Sequence, residues 1–393
     1  MKSSRTAIWR LVILLCIITL PACQFRAQRN QEASPTPTPV PALATPTPVP
    51  AVATPTPVPA LATRTPVLAL ATPTPVPALV TPTIRSSPTL APASADPTGV
   101  PLRFVTGRND YVINVDNTPR KFIVYVPKGY DPQRPTAIVV MCHGSNQSGD
   151  VMYENTGWVA KAEKENLIVA FPSSWQYFLI TDNRVEEKWN IPGIAELTKP
   201  GTELKDDVHF MRVMLDQLKA TFNVDKKRIF ASGFSNGGFF VVSRLMGQMN
   251  DVFAAFATGG VGPLGEKGVI ETTAKTNTSL YEVFGTLDQV AAEGTGLPLP
   301  FPFKAEEIVN HPNFRSMLLL VTTGLGLNMS YTVQSEPEFT TLTFDKSLVG
   351  ADNEFRFRMV RGMLHVYPSG DNNRAGLNAS DLFWDFFVRH SKP

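Results

Sequence analysis

The sequence predicts an α/β fold, a mostly parallel sheet with helices on both faces. Three observations carry this. Strand-like and helix-like segments alternate from about residue 118 to residue 390. The strand-like segments are near-continuous apolar runs, as expected of strands buried on both faces. About half of the 35 prolines in this 393-residue chain fall between residues 35 and 97, so the core must come from residues 101–393. That block is large enough for one sizeable α/β domain.

Lys121 to Val126 and Thr136 to Cys142, rich in Ile and Val, read as strands. Thr156 to Asn166 reads as a helix and Leu167 to Phe171 as a buried strand. Asp206 to Phe222 is helical, because Val208, Met211, Leu215, Leu218 and Phe222 recur at spacings of three and four. Asp206 or Asp207 can cap its start. Arg228 to Gly233 reads as a strand and Gly237 to Met249 as a helix. Phe253 to Thr258, Leu280 to Gly285 and Glu354 to Val360 read as further strands. Asp381 to His390 closes the chain as a helix with Leu382, Phe383, Phe386 and Phe387 on its inner face. Residues 291–350 break the rhythm and read as an insertion.

Composition removes some function classes. A formal net charge of +2 gives no electrostatic reason to expect a nucleic-acid partner. Cys16 and Cys23 sit in the N-terminal segment, leaving Cys142 alone in the folding block, which excludes a disulfide framework.

Residues 1–23 read as an address. Lys2, Arg5 and Arg10 are followed by an apolar run from Leu11 to Leu20 that is too short to span a bilayer as a helix. The segment ends Leu20-Pro21-Ala22-Cys23, which resembles the bacterial lipobox, whose cysteine takes a diacylglyceryl group through a thioether. The expectation is a lipoprotein on the extracellular face of a bacterial membrane, with Cys23 as the lipidation site; simple secretion or a short uncleaved anchor, with Cys23 incidental, is the alternative. Residues 24–100 read as a disordered spacer, in which a nine-residue unit close to Thr-Pro-Thr-Pro-Val-Pro-Ala-Leu-Ala recurs. Such frequent proline blocks helix and sheet ladders and leaves polyproline II, at about 3.1 Å per residue.

The chemistry is carried by Gly233-Phe234-Ser235-Asn236-Gly237, a G-x-S-x-G sequence between a predicted strand and a predicted helix. There the serine occupies a sharp turn that lifts its hydroxyl above the sheet edge. Gly233 and Gly237 are the residues of that elbow whose side chains would collide with neighbouring elements. The amide of Asn236, at the helix start, can face an oxyanion. A serine needs a base, and the base an orienting acid, in the chain order Ser, Asp or Glu, His. Asp288 follows one predicted strand in Gly285-Thr286-Leu287-Asp288, and His365 follows another in Arg361-Gly362-Met363-Leu364-His365. His143, His209, His311 and His390 are rivals, as are Glu293 and Asp345. Met141-Cys142-His143-Gly144-Ser145 ends a strand and places the amide of Ser145 as a second oxyanion donor. His143 ties down that loop, and Cys142 is a small core residue. Trp175 and Trp189 are rim or core residues, with core packing favoured. The apolar run Gly296 to Phe303 either lines a mouth or packs onto the domain.

The block from Asp206-Asp207-Val208 through Val224-Asp225-Lys226-Lys227-Arg228 into Gly233-Phe234-Ser235-Asn236-Gly237-Gly238 resembles the polyhydroxybutyrate depolymerase and feruloyl esterase-like branch of the α/β-hydrolases. The "HG" turn, the "GTLD" stretch and the segment from His365 to Pro368 are similar to its outer motifs, although Gln289-Val290-Ala291 departs from the usual D-P-V. The resemblance implies the α/β-hydrolase fold and carboxylic-ester hydrolysis by Ser235, His365 and Asp288, without metal or cofactor. The partner it implies is an ester substrate: short-chain acyl, feruloyl-type linked to plant polysaccharide, or a polyhydroxyalkanoate polymer. A serine peptidase on the same fold and a non-catalytic binding protein are the alternatives.

Overall fold

The computed structural model describes residues 93–95, 101–263 and 278–393. The expected signal segment, Cys23 and nearly all of the expected spacer lie outside them. The described residues fall in one unit, Thr83–Pro393.

Among the described residues the main sheet has eleven strands: β1 (Ala93–Ala95), β2 (Gly107–Val115), β3 (Thr118–Val126), β4 (Thr136–Cys142), β5 (Ile168–Pro172), β8 (Val224–Phe234), β9 (Ala255–Gly259), β10 (Leu280–Gly285), β11 (Thr332–Glu336), β12 (Phe339–Phe344) and β13 (Phe355–Val360). Two further strands, β6 (Trp175–Leu179) and β7 (Arg184–Lys188), form a separate antiparallel hairpin. The spatial order is β1-β2-β3-β5-β4-β8-β9-β10-β13-β12-β11. The run from β5 to β13 is parallel throughout, and β2, β3, β12 and β11 add antiparallel flanks. Strand β1 adds parallel to β2, so three residues of the expected spacer segment join the sheet.

Helices bury both faces of this sheet. On one face, Phe210, Met214 and Leu218 of the helix Asp207–Thr221 pack with Ile138, Val140 and Ala231. On the other, Trp158 and Ala162 of the helix Trp158–Glu165 join Phe383, Phe386 and Phe387 of the helix Ala379–Phe387. Side chains alternate along each strand, so a strand buried on both faces is apolar at most positions, with exceptions such as the buried Ser232, Thr258 and Glu282. Asp206, not Asp207, is the cap of the central helix and accepts the His209 amide at 2.9 Å.

Residues 291–350 continue the fold. They carry the end of the helix Gln289–Thr295, the helices Ala305–Asn310 and Pro312–Gly324, and the hairpin β11–β12, which extends the sheet past β13. Phe301 is buried, with its ring centroid 5.5 Å from Phe284 and 5.6 Å from Phe314, so this part of the apolar run packs onto the domain. Strand β11 is exposed along its whole length. Among the described residues no helix is long and apolar enough to cross a membrane.

Candidate active site

Strand β8 ends at Phe234 and the next helix begins at Asn236, leaving Ser235 alone in the turn with φ 51° and ψ −121°. A non-glycine residue held in so sparsely populated a region stores about 1–3 kcal/mol of strain. The Ser235 amide donates to the Gly259 carbonyl at 2.9 Å, which fixes the turn from below. The two elbow glycines have steric reasons that can be measured. A Cβ on Gly233 would lie 2.4 Å from the Gly237 carbonyl oxygen, and one on Gly237 would lie 2.3 Å from that of His143.

His365 and Asp288 meet this serine from two other strand ends. His365 Nε2 lies 2.8 Å from Ser235 Oγ, and His365 Nδ1 lies 2.8 Å from Asp288 Oδ2. With Nδ1–H donating to the carboxylate, Nε2 is left as the acceptor for the serine proton. Asp288 is buried, and its other oxygen caps the helix Gln289–Thr295 by accepting the Ala291 amide at 2.9 Å. The acid and histidine turns are zipped together: Leu287 N–H donates to Met363 O, and Gly362 N–H to Thr286 Oγ1. The His365 amide donates to Gln289 Oε1 at 3.2 Å, so the position that departs from the D-P-V pattern holds the histidine's own backbone.

The turn after β4 lies against the serine, since a Cβ on Gly144 would come within 3.3 Å of Ser235 Cβ. Gly144, the residue before Ser145, and Asn236, the residue after the serine, thus lie beside Ser235 on separate segments. His143 is buried; its Nε2 accepts the Ser174 amide at 2.9 Å, so Nδ1–H donates to Gly144 O at 2.7 Å. Burial lowers its pKa to about 4. It therefore stays neutral and ties the loop. Cys142 is fully buried, and burial pushes its thiol up.

The rivals are elsewhere. His209 is exposed and pairs with Asp116, His311 packs against Phe314, and His390 lies beside Glu354. Glu293 and Asp345 are exposed, the latter beside Lys346. Trp189 is buried rather than at a rim. Trp175 is half-buried and lines a cavity of about 380 Å³ with Lys121, Gln176 and Glu187; Ser235, Asp288 and His365 do not line it. Among the described residues no three His, Cys, Asp or Glu side chains are grouped to hold a metal. The roles of Gln289, Lys188 and Trp189 around the site escape sequence reasoning, because no motif marks them.

A mostly parallel sheet wrapped on both faces, with a strained serine between strand and helix, defines an α/β-hydrolase fold. Residues 129–296 match the Phospholipase/Carboxylesterase family. It is similar to a bifunctional acetylxylan esterase/xylanase of Neocallimastix patriciarum, at 29% identity over 183 residues, 46% of this chain and 23% of that one. It is also similar to a poly(3-hydroxyalkanoate) depolymerase C of Paucimonas lemoignei, at 29% identity over 139 residues, 35% of this chain and 30% of that one. The chain thus spans less than half the length of these relatives. An acetyl xylan esterase from Aspergillus awamori superposes with a TM-score of 0.48 at 14% identity, covering 72% of this chain and 99% of that one.

Proposed function

We propose that this protein is a serine esterase that hydrolyses carboxylic esters through an acyl-enzyme. The observation that carries the reading is the continuous chain from Ser235 Oγ to His365 to Asp288, each link 2.8 Å. In this reading His365 Nε2 takes the Ser235 proton as Oγ attacks the ester carbonyl. Asp288 holds the imidazole in the tautomer that can accept it and offsets the imidazolium charge. The Asn236 and Ser145 amides hold the oxyanion. His365 then protonates the departing alcohol, and water releases the acyl group by the same steps in reverse order.

The names of the relatives support acetyl and hydroxyalkanoate esters as substrates to test, and the motif resemblance adds feruloyl-type esters. The lipobox-like end at Cys23 supports attachment to the outer face of a bacterial membrane. Mass spectrometry of the mature N-terminus checks that attachment, which an unmodified start at another residue would remove.

The test of the enzyme reading is a fluorophosphonate probe together with p-nitrophenyl butyrate and peptide anilides. The expected result is labelling and butyrate hydrolysis in the wild type and neither in Ser235→Ala. Equal labelling in Ser235→Ala, or none in either, removes the reading; turnover of anilides alone makes the protein a peptidase. A panel of acetyl-xylan, feruloyl and polyhydroxyalkanoate esters then assigns the acyl group.

A further inference from the structure

The two oxyanion donors sit on segments about ninety residues apart in sequence, Ser145 after β4 and Asn236 after β8. A hole that works must hold both amides about 2.7–3.1 Å from one developing charge. The β4–β8 ladder sets the spacing as far as Cys142 and Gly233, and beyond the strand ends the two turns need a further grip to hold it.

Four consecutive residues, the last two of β7 and the two that follow it, supply that grip. The Glu187 carbonyl accepts the Asn146 amide at 2.9 Å. Lys188 Nζ donates to Ser145 Oγ at 2.8 Å. The Trp189 backbone amide donates to Asn236 Oδ1, and its indole Nε1–H donates to the His143 carbonyl, both at 2.8 Å. The Asn190 amide donates to Asp207 Oδ2 at 2.7 Å. Trp189 is fully buried and stacks on Phe240 of the elbow helix, with centroids 4.9 Å apart and planes 8° apart. Asp207 is itself fixed by Arg120 at 2.6 Å, in a pair buried on both sides. The segment is therefore anchored at its far end to the domain, and along its length to both turns that flank the serine.

We propose that Glu187–Asn190 is a strap that sets the separation of the two oxyanion amides, with Trp189 and Lys188 as positioning residues. This rests on the esterase reading above. It also accounts for both aspartates of Asp206-Asp207-Val208, since the first caps the helix and the second holds the end of the strap.

The test compares wild type, Trp189→Phe and Lys188→Met. Trp189→Phe keeps a ring against Phe240 and the backbone donor while removing the indole donor. Each is assayed on p-nitrophenyl butyrate and with an alkyl trifluoromethyl ketone, whose adduct with a serine hydroxyl places an oxyanion where the intermediate has it. The expected result for Trp189→Phe is a fall in kcat of about 10–100-fold, part of what a lost donor gives, with KM within about twofold. The ketone weakens in proportion, and the melting temperature does not track the loss. Lys188→Met, whose side chain is only partly buried, shows the same pattern at smaller size and carries the test if Trp189→Phe does not fold. Wild-type kcat and ketone affinity in a folded variant overturn the strap, as does a loss confined to KM. A wild type that neither turns over ester nor takes the fluorophosphonate overturns the esterase reading, and the strap with it.

Discussion

Asp288 and His365 are separated by 77 residues in sequence and by 2.8 Å between Oδ2 and Nδ1. Because the acid also caps the helix Gln289–Thr295 through its other oxygen, its carboxylate is held from two directions. Asp288→Asn keeps the size and the helix-cap oxygen but presents an amide to the imidazole. The wrong tautomer is then favoured, and kcat for p-nitrophenyl butyrate is expected to fall roughly 10⁴-fold with little change in melting temperature. A fall of less than about tenfold would mean that the acid is supplied from elsewhere.

Gly237→Ala tests the elbow sterically. The added methyl would meet the His143 carbonyl oxygen at 2.3 Å and that of Cys142 at 2.6 Å, both backbone atoms that cannot rotate away. Overpacking of this kind costs typically about 1–3 kcal/mol. The expected outcome is a lowered urea midpoint together with lost esterase activity, since relief comes by pushing the Ser145 turn away from Ser235. An alanine variant with wild-type midpoint and rate would contradict this packing.

The buried Arg120–Asp207 pair makes a separable prediction. Arg120→Met strands a carboxylate that is fully shielded from water, a loss of about 3–5 kcal/mol. Arg120→Met with Asp207→Leu replaces both charges by apolar groups and is expected to regain most of that stability. Activity is not expected to return, because the Asn190 amide still lacks its acceptor. Chemical denaturation and steady-state rates on the three proteins distinguish the two effects.

Acid is expected to weaken the fold in two windows. Burial keeps the His143 pKa at about 4 against an ordinary 6.5, so the unfolded chain binds a proton there that the folded one does not. Stability therefore falls as pH drops from 6.5 toward 4. Burial pushes the Glu354 carboxyl up, but His390, Arg356 and Arg389 outweigh it and bring the pKa to about 2 from 4.5. That group's contribution is fully present above 4.5 and is lost between 4.5 and 2. Glu354→Gln should melt lower than wild type at pH 7, with the gap closing below pH 4.5. Parallel curves of melting temperature against pH would count against the ion cluster.

Much of the site was legible because it obeys local rules. Ser235 sits in a turn whose steric demands select glycine at 233 and 237, and Asp288 and His365 directly follow strands of the sheet. The helix Asp207–Thr221 announced itself by its apolar period. The β6–β7 hairpin did not, since Arg184-Val185-Glu186-Glu187-Lys188 carries four charges in five residues and few strand formers. Residues 291–350 were opaque for a related reason. Their short helices and the β12 strand take their stability from contacts such as Phe301 on Phe284 and Phe314, which depend on residues distant in the chain. Strand β2 was hidden by Asn109, Asp110 and Asn114, all poor strand formers, and by a pattern that becomes apolar only at Tyr111, Ile113 and Val115.

The sheet ends in β11, five residues long and written Thr-Val-Gln-Ser-Glu. A terminal strand is a template on which a neighbouring molecule can add its own backbone. Brevity, a carboxylate at Glu336 and hydroxyl or amide side chains make this one a poor template. Exchanging Gln334 and Glu336 for valines would turn the margin into a seam open to strand addition.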